Sequence, residues 1–254
     1  MTSLVHYDVG DQVATITLDS PKNRNALSRT LVTELGRSLT AAAQDHDIRA
    51  VVLTHTGKVF CSGADLTEAG GSASSDATTA MMALMTAIVE LDKPVIAKIG
   101  GHVRAGGMGI VGACDLAVAS DAASFAFTEA RIGLAPAIIS LTTLDLMQPR
   151  AAARYCLTGE TFDAPTAAAA GLITVATSAA DFDAVTAGLL DQIRQTSPQG
   201  SAETKKLLTD TRRRRLASDS PAMTALSARL FASEEAQEGI HAFLERRPPR
   251  WRLP

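Results

Sequence analysis

The stretch that decides the fold is "RAGGMGIVGACDLAVAS", residues Arg104 to Ser120. It holds three glycines within four positions, Gly106, Gly107 and Gly109, ahead of a short apolar run. The buried strand pattern "PVIAKIG" precedes it, so the glycines lie where a strand ends and an apolar helix begins. The first N–H groups of such a helix have no partner within it, and glycine lets a ligand oxygen approach the backbone closely. The stretch therefore predicts a site for an anion, or for a carbonyl that becomes one.

The composition of the chain is that of an ordinary globular protein. Its 254 residues are 46% apolar and 20% charged, with a net charge of −3, which fits one large domain or a domain with a small appendage. No strongly basic field points to nucleic acid, and we interpret the run Arg212 to Arg215 as a solvated helix face. Three separated cysteines predict neither a disulfide scaffold nor a zinc site. No signal peptide or membrane span is recognised, so we expect a cytoplasmic protein without a membrane partner.

Strand and helix patterns alternate over the first ~130 residues, which predicts an α/β layered fold with crossover connections. Ser28 is expected to cap a helix that runs to about Gln44. The low-complexity segment Gly70 to Ala80 is expected to be a surface loop or a mobile lid. The second half of the chain is predicted to be helical, with Ser197-Pro198 and Ser220-Pro221 as the starts of two helices.

A second glycine-bearing loop, "VFCSGADL" at residues 59–66, follows another buried strand and places Gly63-Ala64 at its turn. Two strand-end loops can supply two N–H donors from different places, which is what an oxyanion hole requires. Each such donor contributes about 2.7–4 kcal/mol in the transition state. Residues 107–112 also match the G-x-G-x-x-G spacing of dinucleotide-binding loops, but far from the first strand and without the acidic residue that should follow.

Together these loops resemble those of the crotonase family, also called the enoyl-CoA hydratase/isomerase family. The resemblance covers nearly the whole chain and is carried by "PKNRNALS", "RAVVLTHTGKVFCSGADL", "KPVIAKIGGHVRAGGMGIVGACDLAVAS", "FAFTEARIGLAP", "TGETFDAPTAAAAGLIT" and "SEEAQEGIHAFLERRPPRW". It implies an α/β fold with a spiral core of ββα turns over residues 1–195 and a C-terminal helical trimerisation region over residues 196–254. It also implies a homotrimer, or a hexamer made of two trimers.

The ligand that the resemblance implies is an acyl thioester of coenzyme A, with no metal and no cofactor apart from the CoA of the substrate. The thioester oxygen would meet the N–H groups of Ala64 and Gly106. The residues implied to lie along CoA are Lys22, Arg24, Ala26, Leu27, Ala64, Asp65 and Leu66 in two segments, with Phe243 and Arg247 of the last helix contacting CoA held by a neighbouring subunit.

One carboxylate of the family's hydratases is missing. These enzymes carry a glutamate two residues after the glycine triplet and another twenty residues on; here the two positions are Gly109 and Glu129. General acid–base help is worth ~10²–10⁴ in rate, so the loss needs an explanation. Another side chain in sequence reach could stand in, the reaction could need only one base, or the protein could act on the thioester itself. The candidate stand-ins are His102, Arg104 and Asp145.

We therefore predict an enzyme acting on acyl-CoA, with enoyl-CoA hydratase as the first hypothesis and Glu129 as the general acid or base. The alternatives are an enoyl-CoA isomerase, an acyl-CoA thioester hydrolase and a non-catalytic acyl-CoA binder. The family's 3-hydroxyisobutyryl-CoA hydrolases share the glycine but carry an aspartate eight residues after the retained glutamate. That position is Ala137 here, which counts against the hydrolases and against the dienoyl isomerases, which also use that acid.

Overall fold

The computed structural model describes residues 3–68 and 72–252, with no description of the side chains of residues 72–75. Its strands are β1 (Val5–Gly10), β2 (Val13–Leu18), β3 (Ala50–His55), β4 (Val59–Cys61), β5 (Val95–Ile99), β6 (His102–Arg104), β7 (Leu116–Ser120), β8 (Ser124–Ala126), β9 (Phe162–Asp163) and β10 (Val175–Thr177). Its α-helices are α1 (Arg29–Gln44), α2 (Ser72–Glu90), α3 (Gly106–Ala113), α4 (Ser140–Thr143), α5 (Pro149–Thr158), α6 (Ala164–Ala169), α7 (Phe182–Arg194), α8 (Pro198–Phe231) and α9 (Glu234–Leu244). Short 3₁₀ turns lie at Pro21–Asn23 and Glu129–Ile132.

The strands form two sheets, and the chain passes repeatedly between them. The larger sheet has the order β1-β2-β3-β5-β7-β10 and the smaller one has the order β4-β6-β8-β9. Three times in succession a strand of the larger sheet is followed by one of the smaller sheet: β3 by β4, β5 by β6, and β7 by β8. Helices α2 and α3 return the chain to the larger sheet after the first two of these pairs. The expected α/β spiral of ββα turns is confirmed.

The larger sheet is buried on both faces, which explains why its central strands are continuous apolar runs. One face packs on the main core, where Leu31 and Leu35 of α1 are fully buried. On the other face, Val52, Ile96 and Val118 lie against the apolar side of α7. The strand positions therefore alternate between two cores rather than between core and solvent.

One of the three predicted helix starts is wrong. Ser28 and Ser197 do cap α1 and α8, each accepting a hydrogen bond from a first-turn N–H. However, Ser220-Pro221 does not start a helix, because α8 continues through it to Phe231. The hydroxyl of Ser220 donates to the Leu216 carbonyl, and α8 packs along α2. Tertiary packing therefore outweighs the helix-breaking tendency of one proline.

The predicted loop at Gly70 to Ala80 is also wrong over most of its length. Helix α2 begins at Ser72, and Gly70 lies outside the described residues. The apolar residues Met82 and Met85 of α2 are buried in the main core, so the helix gains stability from packing that its polar first turns alone do not predict.

Helix α8 binds the core through buried cations, which corrects the interpretation of the basic run as a solvated face. Lys205 Nζ lies 2.7 Å from Asp115 Oδ2 and 2.9 Å from the Ile88 carbonyl oxygen near the end of α2. Arg212, only 8% exposed, donates to the Gly112 carbonyl at 2.8 Å, in the last turn of α3. Cations at the carboxyl ends of helices are stabilising because the last carbonyls carry partial negative charge. The neighbouring Arg214 is exposed, as predicted, with its side chain paired to Asp210.

Candidate active site

Three loops lie side by side at the carboxyl edge of the smaller sheet. Strands β4, β6 and β8 are parallel, and their register pairs Cys61 with Val103 and Val103 with Phe125. Ala64 and Gly106 each follow three residues after the paired position of their strand, and Glu129 follows four residues after. Because the carboxyl ends of parallel strands meet at one edge, the register brings the three predicted catalytic residues to the same end of the sheet.

The loops that carry Ala64 and Gly106 are in direct backbone contact. Gly63 has a φ of +90°, and a Cβ at that position would lie 2.8 Å from Ala105 Cβ and 3.2 Å from Gly106 N. A Cβ at Gly106 would lie 3.6 Å from Ala64 N. Neither of these two N–H groups donates in the loop, turn and cap hydrogen bonds of the described residues. Two adjacent free donors, one at the start of α3, form the arrangement that an oxyanion hole needs.

Ala105, just before the Gly106 donor, has a strained backbone. Its φ of 45° and ψ of −118° lie in a region that side chains other than glycine rarely adopt. Such a conformation costs about 1–3 kcal/mol and persists only where the surroundings impose it. Here the Ala105 N–H donates to the Ala126 carbonyl at 3.1 Å, which ties the start of α3 to β8.

Glu129 is the buried acid of the site. It begins the 3₁₀ turn that follows β8, it is 9% exposed, and its Oε2 has no hydrogen-bond partner among the described residues. Burial raises the pKa of Glu129 to about 7 because the charged form loses its hydration. A carboxyl group with this pKa exchanges protons readily near neutral pH, as a general acid or base must.

The position of the missing carboxylate is filled by apolar side chains. A Cβ at Gly109 would lie 2.6 Å from Ile139 Cγ2 and 2.9 Å from Met85 Sδ. The hydroxyl of Thr142 also donates to the Gly109 carbonyl at 2.9 Å. Gly109 therefore serves close packing between α3 and the segment leading into α4, which is a different task from that of Gly106.

The three candidate stand-ins have partners outside this site. His102 Nδ1 lies 2.9 Å from Ser124 Oγ, and Arg104 donates to the Ser124 carbonyl at 2.7 Å. Asp145 pairs with Arg215 of α8. None of these contacts points to a second proton-transfer group for Glu129.

The two segments expected to lie along CoA are brought together by the fold. Leu27 N–H donates to the Gly63 carbonyl at 2.8 Å, and Asn23 Nδ2 donates to Asp65 Oδ2 at 2.8 Å. Burial raises the pKa of Asp65, but hydrogen bonds from Thr67 and Asn23 outweigh it and leave the pKa below its usual value. Asp65 is thus a loop-bracing residue. The residues of these two segments that were expected to lie along CoA are Lys22, Arg24, Ala26, Leu27, Ala64, Asp65 and Leu66.

Phe243 and Arg247 lie in the last helix and in the segment that follows it. Phe243 is about half exposed on α9, whereas Arg247 lies three residues beyond the end of α9 rather than on it. The Arg247 guanidinium is bound to Glu238 at 2.7 and 3.0 Å and to Glu245 at 2.7 Å. Their contact with CoA stays a prediction.

Sequence reasoning missed several residues that shape the site. Asn25 is fully buried and donates to the carbonyls of Val59 and Thr56, which fixes the first segment beside the second. The repeated asparagines of "PKNRN" were the available signal. Cys156 gave no signal, because its place near Glu129 arises from a distant part of the chain.

Comparison with known proteins identifies the family. The sequence profile of the family described as "Enoyl-CoA hydratase/isomerase" matches residues 8–253. An enoyl-CoA hydratase of Alternaria alternata is 32% identical over 93% of this chain and 80% of its own length. A carnitinyl-CoA dehydratase of Proteus mirabilis is 31% identical over 99% of each chain. The crystal structure of an enoyl-CoA hydratase from Mycobacterium avium is 52% identical, with a TM-score of 0.92 over 99% of this chain and 100% of that one.

The chain therefore belongs to the crotonase, or enoyl-CoA hydratase/isomerase, family. Enzymes of this family act on CoA thioesters without a metal or other cofactor. In the part of the chain that the structure describes, no group of three or more His, Cys, Asp or Glu side chains could hold a metal ion. Among the same residues, no helix has the length and apolar character needed to cross a bilayer.

The packing around Gly109 gives a stability prediction. Gly109→Ala is expected to lower the free energy of unfolding by about 1–3 kcal/mol, because the new methyl group overpacks against Ile139 and Met85. Chemical denaturation measures the free energy of unfolding of Gly109→Ala in the wild-type background and in the Ile139→Ala background. The loss of stability caused by Gly109→Ala should be smaller when Ile139 is truncated. Gly36→Ala in α1 is the matched control, since a Cβ there meets nothing within 4 Å and should be neutral or stabilising. Equal effects at the two glycines would contradict the packing described here.

The buried acid gives a second prediction, in the pH dependence of stability. The pKa of Glu129 is raised from 4.5 to about 7, so its favourable contribution is complete below pH 4.5 and is lost as pH rises through 7. Ionising the buried group then costs about 3 kcal/mol at pH 8. Glu129→Gln should therefore melt higher than the wild type at pH 8, and this advantage should shrink toward pH 5. The exposed Glu203→Gln should show no such trend in the same thermal scans.

Proposed function

We propose that this protein is an enoyl-CoA hydratase that works with a single carboxylate, Glu129. The observation that supports it is Glu129 itself, a buried carboxyl group with an unpartnered oxygen and a pKa of about 7, at the same sheet edge as two free N–H donors. The hydratase and dehydratase names of full-length relatives add support for the reaction type.

In the proposed reaction the thioester oxygen of a 2-enoyl-CoA accepts hydrogen bonds from the N–H groups of Ala64 and Gly106. The Glu129 carboxylate removes a proton from a water molecule while the water oxygen bonds to C3. The electrons of the C2–C3 double bond move toward the thioester and give an enolate, which the two N–H groups stabilise. Glu129 then returns its proton to C2, so that one water is added and the carboxylate is regenerated.

A second candidate is isomerisation of 3-enoyl-CoA to 2-enoyl-CoA, which the apolar filling beside Gly109 favours. In that reaction Glu129 removes a proton from C2, the same N–H pair stabilises the dienolate, and the proton returns to C4 as the double bond shifts. No water and no second acid are needed. Ile139 and Met85 stand where a water-binding carboxylate would otherwise lie, which suits a reaction that uses no water.

The test is an incubation of the protein with 2-enoyl-CoA and 3-enoyl-CoA thioesters of several chain lengths. Loss of the conjugated enoyl absorbance indicates hydration, its appearance from 3-enoyl-CoA indicates isomerisation, and free thiol indicates hydrolysis. Glu129→Gln should lower kcat by ~10²–10⁴-fold, and Glu203→Gln should not. Thiol release alone would assign a hydrolase, and acyl-CoA binding without turnover would assign a binder.

The pH profile of the active reaction follows from the role of Glu129 as a base. The reactive form is the carboxylate, so kcat/KM should fall about tenfold per pH unit below pH 7 and level off above it. A profile that is flat from pH 5 to 8 would remove Glu129 from the proton transfer.

The proposed assembly is a trimer or a hexamer, with residues 196–254 forming the contacts between subunits. Two adjacent leucines of α8, Leu207 and Leu208, are 79% and 75% exposed and together offer an apolar surface to a neighbouring subunit. Sedimentation should give three or six times the mass of one chain, and the pair Leu207→Asp/Leu208→Asp should lower it. Leu157→Asp on α5 is the matched control at 78% exposure. A monomeric wild type would overturn the assembly.

A further inference from the structure

The turn that carries Glu129 is held between two helices that are distant in sequence. On one side, Arg131 Nε donates to the Thr158 carbonyl at the end of α5 at 3.0 Å. A Cβ at Gly159, the residue after α5, would lie 2.9 Å from Arg131 Cγ. The Arg131 side chain therefore packs closely against the end of α5.

On the other side, α9 meets the turn backbone to backbone. A Cβ at Gly239 of α9 would lie 2.5 Å from both the carbonyl carbon and the carbonyl oxygen of Ile132. Reciprocally, a Cβ at Gly133 would lie 2.6 Å from the Glu235 carbonyl carbon. At both glycines the backbone of the opposite segment lies too close for a side chain, so the absence of a Cβ permits this approach.

Helix α9 is itself fixed on both ends. Ser233 caps its start, accepting a hydrogen bond from Ala236 N–H at 3.2 Å. Past its end, Arg247 binds both carboxylate oxygens of Glu238, and the Arg250 N–H donates to the same carboxylate at 2.9 Å. The C-terminal tail is thus folded back onto α9 and bound at Glu238, the residue before Gly239.

We infer that α9 positions the Glu129 carboxyl group through the close contact of Gly239 with the Ile132 backbone, so that Gly239 is a positioning residue of the proton-transfer site. The inference rests on the proposed role of Glu129 for its kinetic consequence, but the placement and burial of Glu129 can be measured without turnover. Gly239 touches no reacting atom, and its effect passes through Ile132 and the 3₁₀ turn.

The groups around Glu129 that titrate or carry charge are few. Burial, together with the Glu129 charge, raises the pKa of the Cys156 thiol of α5 to about 11, so this thiol stays neutral below pH 9. Arg131 is directed to the end of α5, and Glu235 and Glu238 lie on α9, the latter bound by Arg247 and Arg250. Displacing the turn should therefore act on Glu129 mainly through its burial.

The decisive comparison is Gly239→Ala with Gly188→Ala, the same substitution inside α7, where a Cβ meets nothing within 4 Å. Gly239→Ala should lower kcat at least tenfold with KM changed less than threefold. It should also move the acidic limb of the kcat/KM profile below pH 7, because a displaced turn exposes Glu129 to water. Gly188→Ala should change neither.

A second readout does not depend on activity. The difference in melting temperature between each glycine variant and its Glu129→Gln double variant, followed from pH 5 to 8, reports the pKa of Glu129. In Gly239→Ala the pKa of Glu129 should lie closer to that of the unfolded chain, so the difference in melting temperature should change less between pH 5 and pH 8. In Gly188→Ala the difference should change with pH as it does in the wild type. If the protein turned over no enoyl-CoA at all, the proposed function would fail while this measurement still decided the positioning role.

Glu238→Gln provides an independent variant should Gly239→Ala not fold. It loosens the tail from α9 without adding an atom at the contact, and it should shift the same two readouts in the same direction by a smaller amount. A pH profile and a stability window that stay unchanged in either variant would overturn the inference. So would a change of the same size in Gly188→Ala.

Discussion

The parallel pairing of β4, β6 and β8 is the constraint on which the rest of this structure depends. Its register fixes the loops after these strands at one edge, and the loops carry Ala64, Gly106 and Glu129. Backbone hydrogen bonds set this arrangement, so the two N–H donors are positioned before any ligand arrives. Donors held in place in this way need no reorganisation when charge develops on a thioester oxygen, which is why a rigid sheet edge suits the task.

The site is built at a cost in stability. Ala105 keeps a backbone conformation that glycine would adopt more easily, and Glu129 loses its hydration with one oxygen unpartnered. Both costs are local, and the surrounding fold offsets them with close contacts: Gly63 against Ala105, and Gly133 and Gly239 between the Glu129 turn and α9. The buried cations of α8 serve the same end, because they bind the carboxyl ends of the helices that line the site.

The absent second carboxylate is not an empty place. The side chains of Ile139 and Met85 occupy the space that a side chain at position 109 would need. Gly109 of α3 and Ile139, just before α4, therefore fit each other in size. The proposed chemistry therefore relies on one carboxyl group, Glu129, and two backbone N–H donors.

The sequence by itself determined the α/β class, the caps at Ser28 and Ser197, and the family with its two glycine loops and Glu129, because these features depend on local spacing. It could not locate the end of α8, since Pro221 is overridden by packing on α2, nor the start of α2, whose stability comes from the core. The sequence pattern also predicted a solvent-exposed Arg212, whereas its buried guanidinium donates a hydrogen bond to the Gly112 carbonyl at the end of α3. Only the tertiary structure decided what fills the space at Gly109 and what holds Glu129, because Ile139 and Gly239 come from distant parts of the chain. Contacts of that range are set by how whole elements pack, and no short pattern of residues encodes them.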